Sequence, residues 1–314
     1  MVNAVQEKVK LKNADMRFVH VLNYRSVLIL HPKHGKLSDQ ISNTRLGYKR
    51  MSGHLEIAVP VKERIFKKCE PLDKRKESKL SADLINEFTE KSRAVLEKHE
   101  INIKRREEGR NPANIVVMRG AGITLPKLDN LKEKYGTSWL CIGDTPAEKG
   151  IARLLGMDLM DLPEPLTDRI SRENSKEEII DAVKKDMEIR IKKLLDNFES
   201  YDCFYIHLKG ADPFGHANLP ESKKTVIKVM DEYFFGYLLD NIDLKNTVIC
   251  VTSDHTTACS VKAHTADPVP LLISGDDVEA DPVKRFGESF CEKGSIGTIK
   301  ATKLMPILMK IIGR

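Results

Sequence analysis

Two short stretches hold the residues best suited to chemistry. In residues 252–270 (TSDHTTACSVKAHTADPVP), Asp254 and His255 stand side by side and His264 follows nine positions later. In residues 209–216 (KGADPFGH), Asp212 and His216 are four apart across Pro213 and Gly215, so this segment reads as a loop. Each stretch follows a short apolar run, residues 247–251 and 204–208, and each run reads as a buried strand. Carboxylate and neutral imidazole together suit Mn²⁺, Zn²⁺ or Fe better than Ca²⁺ or Mg²⁺ alone. Taken singly, the Asp254–His255 pair reads equally as a turn cap with a surface histidine downstream. Two such clusters after comparable strands, with two carboxylates and three imidazoles between them, favour a metal centre of one or two ions.

With both stretches in view, the chain resembles the archaeal-type 2,3-bisphosphoglycerate-independent phosphoglycerate mutases, a family of the alkaline phosphatase superfamily. The resemblance rests first on KGADPFGH and on TSDHTT…KAHTADPVP. It extends to RFVHVLNYRSVLIL (residues 17–30) and to the long segment of residues 69–123, and it is collinear from about Asn13 onward. It implies an α/β fold: an alkaline-phosphatase-like core with a mainly parallel sheet, interrupted by an inserted α/β domain. Residues 1–16 would then be a remnant of the core or a linker, residues 17–165 the inserted substrate-binding domain, and residues 166–314 the metal-binding core.

The resemblance also assigns roles. Asp212, His216 and His264 would hold one divalent metal, with Mn foremost and Zn, Co or Mg as alternatives. Asp254 and His255 would belong to a second metal, shared with an aspartate and a nucleophilic Ser or Thr. The family reaction is a two-metal phosphoryl transfer that interconverts 3- and 2-phosphoglycerate through a phosphoenzyme, a step of glycolysis. Arg25, Arg119 and Lys209 are the implied contacts to phosphoglycerate, although an arginine in such a place also serves as a structural ion-pair partner. The family's remaining aspartate and its nucleophile lie on a segment that has no counterpart in residues 1–16. Ser253, Thr256, Thr257 and Ser260 read as turn hydroxyls, and no catalytic nucleophile is assigned. The expectation is therefore a truncated or split mutase, inactive alone and complemented by an N-terminal chain, or self-associating through an exposed sheet edge. A non-catalytic binder of metal or phosphometabolite is the alternative, and a generic phosphatase or sulfatase ranks lower.

Composition fits an ordinary soluble globular protein. A chain of 314 residues, 41% hydrophobic and 31% charged, can bury the core of two domains. The net charge of +6 is small for this length, and only 6% of residues are aromatic, so a nucleic-acid platform is not expected. The charged N-terminus lacks an apolar leader, and no run approaches membrane-spanning length. The six cysteines (Cys69, Cys141, Cys203, Cys250, Cys259 and Cys291) form no CxxC pair, so reduced thiols in a cytoplasmic protein are expected.

The elements that must position these residues can be read in part. Short strands are expected at residues 27–30, 115–118 and 139–142, with an extended segment at 55–61 broken by Pro60. The Arg119–Gly122 turn after residues 115–118 offers backbone N–H groups to an anion. Helical spacing marks residues 81–100, with Ser81 as N-cap, and residues 146–155, opened by Pro146. Longer helices are expected at 175–198, 220–240 and 301–312. Relatives in the resembled family carry a small-residue and glycine-rich segment where this chain has residues 164–169, a departure that counts against close backbone approach to substrate there.

Overall fold

A computed structural model describes residues 1–52, 55–59, 65–163, 166 and 174–313. The chain divides into two compact units, Met1–Lys127 and Leu128–Arg314.

The first unit is built around a hairpin and a long helix. Helix α1 (Val2–Lys8) leads into strand β1 (Ala14–Leu22), which pairs antiparallel with β2 (Arg25–Pro32). Strands β3 (Tyr48–Ser52) and β4 (Leu55–Ala58) form a second antiparallel pair. Helix α2 (Lys76–Glu97) is followed by α3 (Glu100–Glu107). Leu84, Phe88 and Leu96 of α2 pack with Val5, Val9, Leu11, Ala14 and Phe18 in one apolar cluster. Residues 1–16 are thus an integral part of this unit and not a separate remnant.

Helix α2 begins five residues before Ser81, which is not its N-cap. The Ser81 hydroxyl donates to Glu77 O inside the helix and accepts from Ser38 N. Residues 115–118 form no ladder among the described residues. Val116 and Met118 pack against the core while Ile115 and Val117 are exposed, and the segment is tied down at Met118. Period-two patterning is present there without a partner strand to complete it.

The second unit has an α/β core. In chain order come α4 (Leu131–Tyr135), β5 (Trp139–Ile142), α5 (Pro146–Leu154), β6 (Asp158–Leu159), α6 (Lys176–Leu195) and β7 (Cys203–Ile206). After them follow α7 (Asp212–His216), α8 (Pro220–Met230), a π-helical turn at Asp231–Phe235 and α9 (Gly236–Asn241). Strands β8 (Ile249–Thr252), β9 (Thr256–Ala258), β10 (Ala263–Thr265) and β11 (Leu271–Ser274) precede α10 (Glu288–Cys291) and α11 (Leu304–Ile311).

The parallel sheet has the order β6-β5-β7, with β5 at its centre. Helix α6 lays Ile179, Val183, Met187, Ile191 and Leu194 into the cluster that holds Leu140 and Ile142 of β5. Ser175 and Glu178 close a capping box at its start. Because β5 pairs with β7, residues 139–142 belong to the unit that holds Asp212, His216 and His264. The division therefore falls at Lys127/Leu128, well before the boundary expected near residue 165. Strand β8 pairs antiparallel with β11 and is half-buried, so Asp254 does not follow the buried strand expected there. The expectation for residues 164–169 lies outside the described residues, Leu166 excepted.

Candidate metal centre

Two local structures bring the donors together. Residues 209–216, expected as a loop, contain the short helix α7, because Pro213 falls in the first turn, where a missing N–H costs nothing. One helical turn stacks Asp212 above His216 on one face. The second structure is the β9–β10 hairpin, whose register sets His264 opposite Thr257. Its turn needs the left-handed conformation at Lys262 (φ 58°). Gly215 lets the two approach: a Cβ there would lie 2.6 Å from Thr257 O and 2.8 Å from its Cγ2.

The result is a set of three donors, Asp212, His216 and His264, whose ligand atoms lie within 4.8 Å of one another. Asp212 Oδ1 is 3.5 Å from His216 Nε2 and 3.4 Å from His264 Nε2, and the two imidazole nitrogens are 3.2 Å apart. Two imidazoles and one carboxylate, all three exposed, fit a divalent transition-metal ion. The outer contacts fit as well. His216 Nδ1 lies 3.0 Å from Lys262 O; donating its proton there leaves Nε2 unprotonated and aimed at the other donors.

Asp254 and His255 sit beside this set without joining it. The His255 ring stacks on His264 at 3.7 Å between centroids, and Asp254 Oδ2 is 3.2 Å from His255 Nε2. Thr257 links the two groups: its hydroxyl donates to Asp212 Oδ1 at 2.5 Å and lies 3.1 Å from His255 Nδ1. Sequence reasoning took Thr257 for a turn hydroxyl. Its place opposite His264 in a three-residue ladder is what a hairpin register across residues 256–265 would have given.

A second polar group occupies the carboxyl ends of β5 and β7. Lys209 Nζ is 3.3 Å from Glu148 Oε1, and His207 Nε2 lies 3.7 Å from the same oxygen. Glu148 Oε2 accepts from the Asp144 and Thr145 N–H groups, which fixes it at the start of α5. Burial opposes its ionisation, but the Thr145 hydrogen bonds and the His207 and Lys209 charges hold its carboxyl below the usual value. Lys209 is thus one half of an ion pair in this structure. Tyr205 OH lies 3.0 Å from His207 Nδ1, and burial with the charges of Glu148 and Asp254 pushes that phenol up to about 12.

Behind this group lies a buried charge set that sequence reading missed. Arg190 of α6 is 2% exposed and reaches Asp144 Oδ2 at 2.5 Å and Asp186 Oδ2 at 3.7 Å. Burial raises the Asp144 pKa against the pull of Arg190. Asp186 and Arg190 lie between apolar core positions of α6, and nothing in their residue type distinguishes them from the solvated charges of the same helix.

The two expected arginines lie in the first unit. Arg119 pairs with Glu56 at 3.1 Å and stacks over the Tyr48 ring at 4.0 Å. Gly120 N donates to Glu56 Oε1, so the anion taken by this glycine turn is an internal carboxylate. Arg25 opens β2 with its guanidinium 5.7 Å from the Tyr24 ring centre.

An alkaline-phosphatase-like α/β fold with a carboxylate–imidazole set defines a metalloenzyme, and residues 19–311 match the metalloenzyme superfamily. The 2,3-bisphosphoglycerate-independent phosphoglycerate mutase of Thermococcus kodakarensis is 35% identical across 100% of this chain and 68% of its own length. The chain belongs to this phosphoglycerate mutase family. The Pyrococcus abyssi mutase is 39% identical over 76% of this chain, which spans 54% of that relative's length. Among solved structures, a Pyrococcus horikoshii protein matches with a TM-score of 0.62 at 36% identity, over 75% of this chain and 58% of its own. The cofactor-independent phosphoglycerate mutase of Thermoplasma acidophilum matches with a TM-score of 0.53 at 25% identity, over 99% of this chain and 69% of its own. No described helix is long and apolar enough to cross a membrane.

Proposed function

We propose that this chain carries the metal-binding part of a cytoplasmic, glycolytic phosphoglycerate mutase that interconverts 3- and 2-phosphoglycerate. The convergence of Asp212, His216 and His264 within 4.8 Å is the observation that supports it most directly. These residues would hold the tighter of two ions, with Mn²⁺ the preferred metal. Asp254 and His255 would contribute to the second. A bound divalent cation supplies electrostatic stabilisation to phosphoryl oxygens. The chain's own residues do the rest. Thr257 holds Asp212 against the histidines, Lys262 O fixes the His216 tautomer, and Lys209, Arg25 and Arg119 attract the anionic substrate.

The phosphoryl acceptor of the family reaction is not among the residues assigned here. Residues 1–314 alone should therefore bind metal without turning over phosphoglycerate, since loss of a nucleophile costs several orders of magnitude in rate. Turnover should appear when a family-type N-terminal segment is fused or added in trans. Robust interconversion by residues 1–314 alone would overturn this reading and direct attention to Ser253, Thr256 and Ser260. Metal titration gives the second test. Asp212→Ala should abolish tight binding while Asp254→Ala leaves it within a few-fold, and equal loss from both would count against the assignment.

A further inference from the structure

The chain between β11 and α11 closes around a hollow that the metal centre does not use. One carboxylate pins the loop of residues 281–295 near both ends. Asp281 Oδ1 accepts from Val283 N and Asp281 Oδ2 from Ser295 N, each at 2.9 Å. Those N–H groups, Ser295 first, with a smaller pull from the Lys284 charge, hold the Asp281 carboxyl below its usual value. Inside the loop Gly287 adopts φ 151°, a conformation open to glycine. Its carbonyl accepts from Phe290 N at 3.1 Å and Cys291 N at 2.8 Å, which starts α10. The turn brings Phe290 back beside Arg285, whose Cζ is 5.7 Å from the ring centre.

The hollow measures about 330 Å³ and is lined by Pro282, Val283, Lys284, Arg285, Phe290 and Lys293. Small-molecule sites begin at roughly this size. The lining is of two kinds. Pro282, Val283 and Phe290 are apolar, and the Phe290 ring is 41% exposed. The other three side chains are cations that donate hydrogen bonds and accept none. Among the described residues, no carboxylate makes an ion pair with Lys284, Arg285 or Lys293.

Stacking on Phe290 accounts for Arg285, and an exposed lysine needs no partner. Neither accounts for two lysines and an arginine bordering one hollow with apolar walls. Such a lining sums to a positive potential and suits a ligand that brings acceptors, negative charge and a flat apolar body. A phosphate monoester carries about −1.5 to −2 charge at pH 7, and its oxygens match the fork of a guanidinium. Inorganic phosphate alone would leave the ring unused, and a neutral nucleoside would leave the cations unpaired.

We propose that Lys284, Arg285 and Lys293 bind the phosphate of a nucleoside monophosphate whose base stacks on Phe290, flanked by Pro282 and Val283. Bases stack on aromatic rings whatever their identity, so the site selects the nucleotide class and not one base. It stands apart from the function proposed above, because none of its residues is assigned there and no metal ligand lines it.

The test is calorimetric titration of the full chain in EDTA at low salt with adenosine monophosphate, adenosine, inorganic phosphate and benzoate. Adenosine monophosphate should bind at least about tenfold more tightly than each of the others, the worth of one stacked base or one charge-assisted contact. Phe290→Leu should remove about tenfold of its affinity and leave inorganic phosphate unchanged, while Phe290→Tyr, which keeps the ring, stays within threefold of the parent. Arg285→Gln and Lys293→Gln should each weaken adenosine monophosphate by about tenfold or more and leave adenosine unchanged. Lys293 is exposed, so its variant decides the matter if Phe290→Leu unfolds. Unchanged affinity in folded Phe290→Leu or in Lys293→Gln overturns the site. Benzoate or inorganic phosphate binding as tightly as adenosine monophosphate overturns the nucleotide as its ligand. Asp212→Ala should leave the titration unchanged, so failure of the metal reading and failure of this one are told apart.

Discussion

Gly215→Ala sets two effects of opposite sign against each other. Alanine is the better helix former by about 0.8–1 kcal/mol, so on propensity alone the change in α7 should stabilise. The space is not there, however. The new Cβ would lie 2.6 Å from Thr257 O and 2.8 Å from Thr257 Cγ2, and the first of these is backbone that cannot rotate away. Helix and hairpin must separate by about 0.5 Å, an overpacking strain of roughly 1–3 kcal/mol. The net loss of stability should thus be small, about 0–2 kcal/mol. The metal site is far less tolerant. Asp212 and His216 ride on α7 and His264 on β10, so the separation falls between ligands. A tolerance of about 0.5 Å is all such a site allows. Affinity should drop by about 10- to 100-fold, the cost of a disturbed outer contact. Gly150→Ala is the control, since its Cβ would meet nothing within 4 Å. Competition with a chelating dye reads the affinity, and urea unfolding reads the stability. Metal affinity within threefold of the parent in folded Gly215→Ala would refute the close-approach account.

Three further outcomes follow from named contacts. Thr257→Val keeps the shape but removes the donor to Asp212, so metal affinity should fall by about tenfold while Thr257→Ser stays near the parent; equal behaviour of the two variants would remove Thr257 from the site. Arg190→Ala leaves Asp144 and Asp186 buried without their shared cation and should cost about 3–5 kcal/mol in urea unfolding, and a loss under 1 kcal/mol would mean that the set is not desolvated. Glu148 has a depressed carboxyl pKa. The native state therefore binds its proton less readily than the unfolded chain, and its contribution is present above the ordinary glutamate value and lost as pH falls through the lower folded value. Glu148→Gln should flatten the acid limb of a stability–pH curve, and an unaltered limb would show that the Thr145 hydrogen bonds and the His207 and Lys209 charges together contribute nothing there.

How far the sequence could be read depends on whether the deciding interaction is local. Residues 139–142 carry a short apolar run that is a strand wherever it packs, and the structure has β5 there. The helices at 146–155 and 175–198 announce themselves through Pro146, through Ser175 with Glu178, and through apolar spacing. The structure ends them within a few residues of expectation. The three donors that converge, Asp212, His216 and His264, were noticeable for a related reason: Asp and His follow short apolar runs. What failed was non-local. Residues 115–118 have strand patterning and find no partner strand among the described residues. Asp186 and Arg190 look like surface charges until β5 brings Asp144 to them. Gly215 looks like a loop glycine until Thr257 arrives from 42 positions away. Pairing of β5 with β7 likewise moved the unit boundary to Lys127, because a parallel partner that follows a crossover leaves no mark in either strand.

The same distinction says where the site's precision resides. Its candidate donors could be named from residue type and the family resemblance, but their common focus depends on a glycine, a threonine hydroxyl and a left-handed lysine, and none of these is among the three donors. Lys262 supplies both the turn that returns β10 to β9 and the carbonyl that orients His216. Thr257 is 3% exposed and touches both carboxylate–imidazole groups, so the two are coupled through one buried hydroxyl. A perturbation of Asp254 or His255 must therefore reach Asp212 through Thr257, or through the His255–His264 stack. Double-mutant cycles between Thr257 and His255 measure that coupling directly, and additive effects on metal affinity would mean that the two groups bind independently.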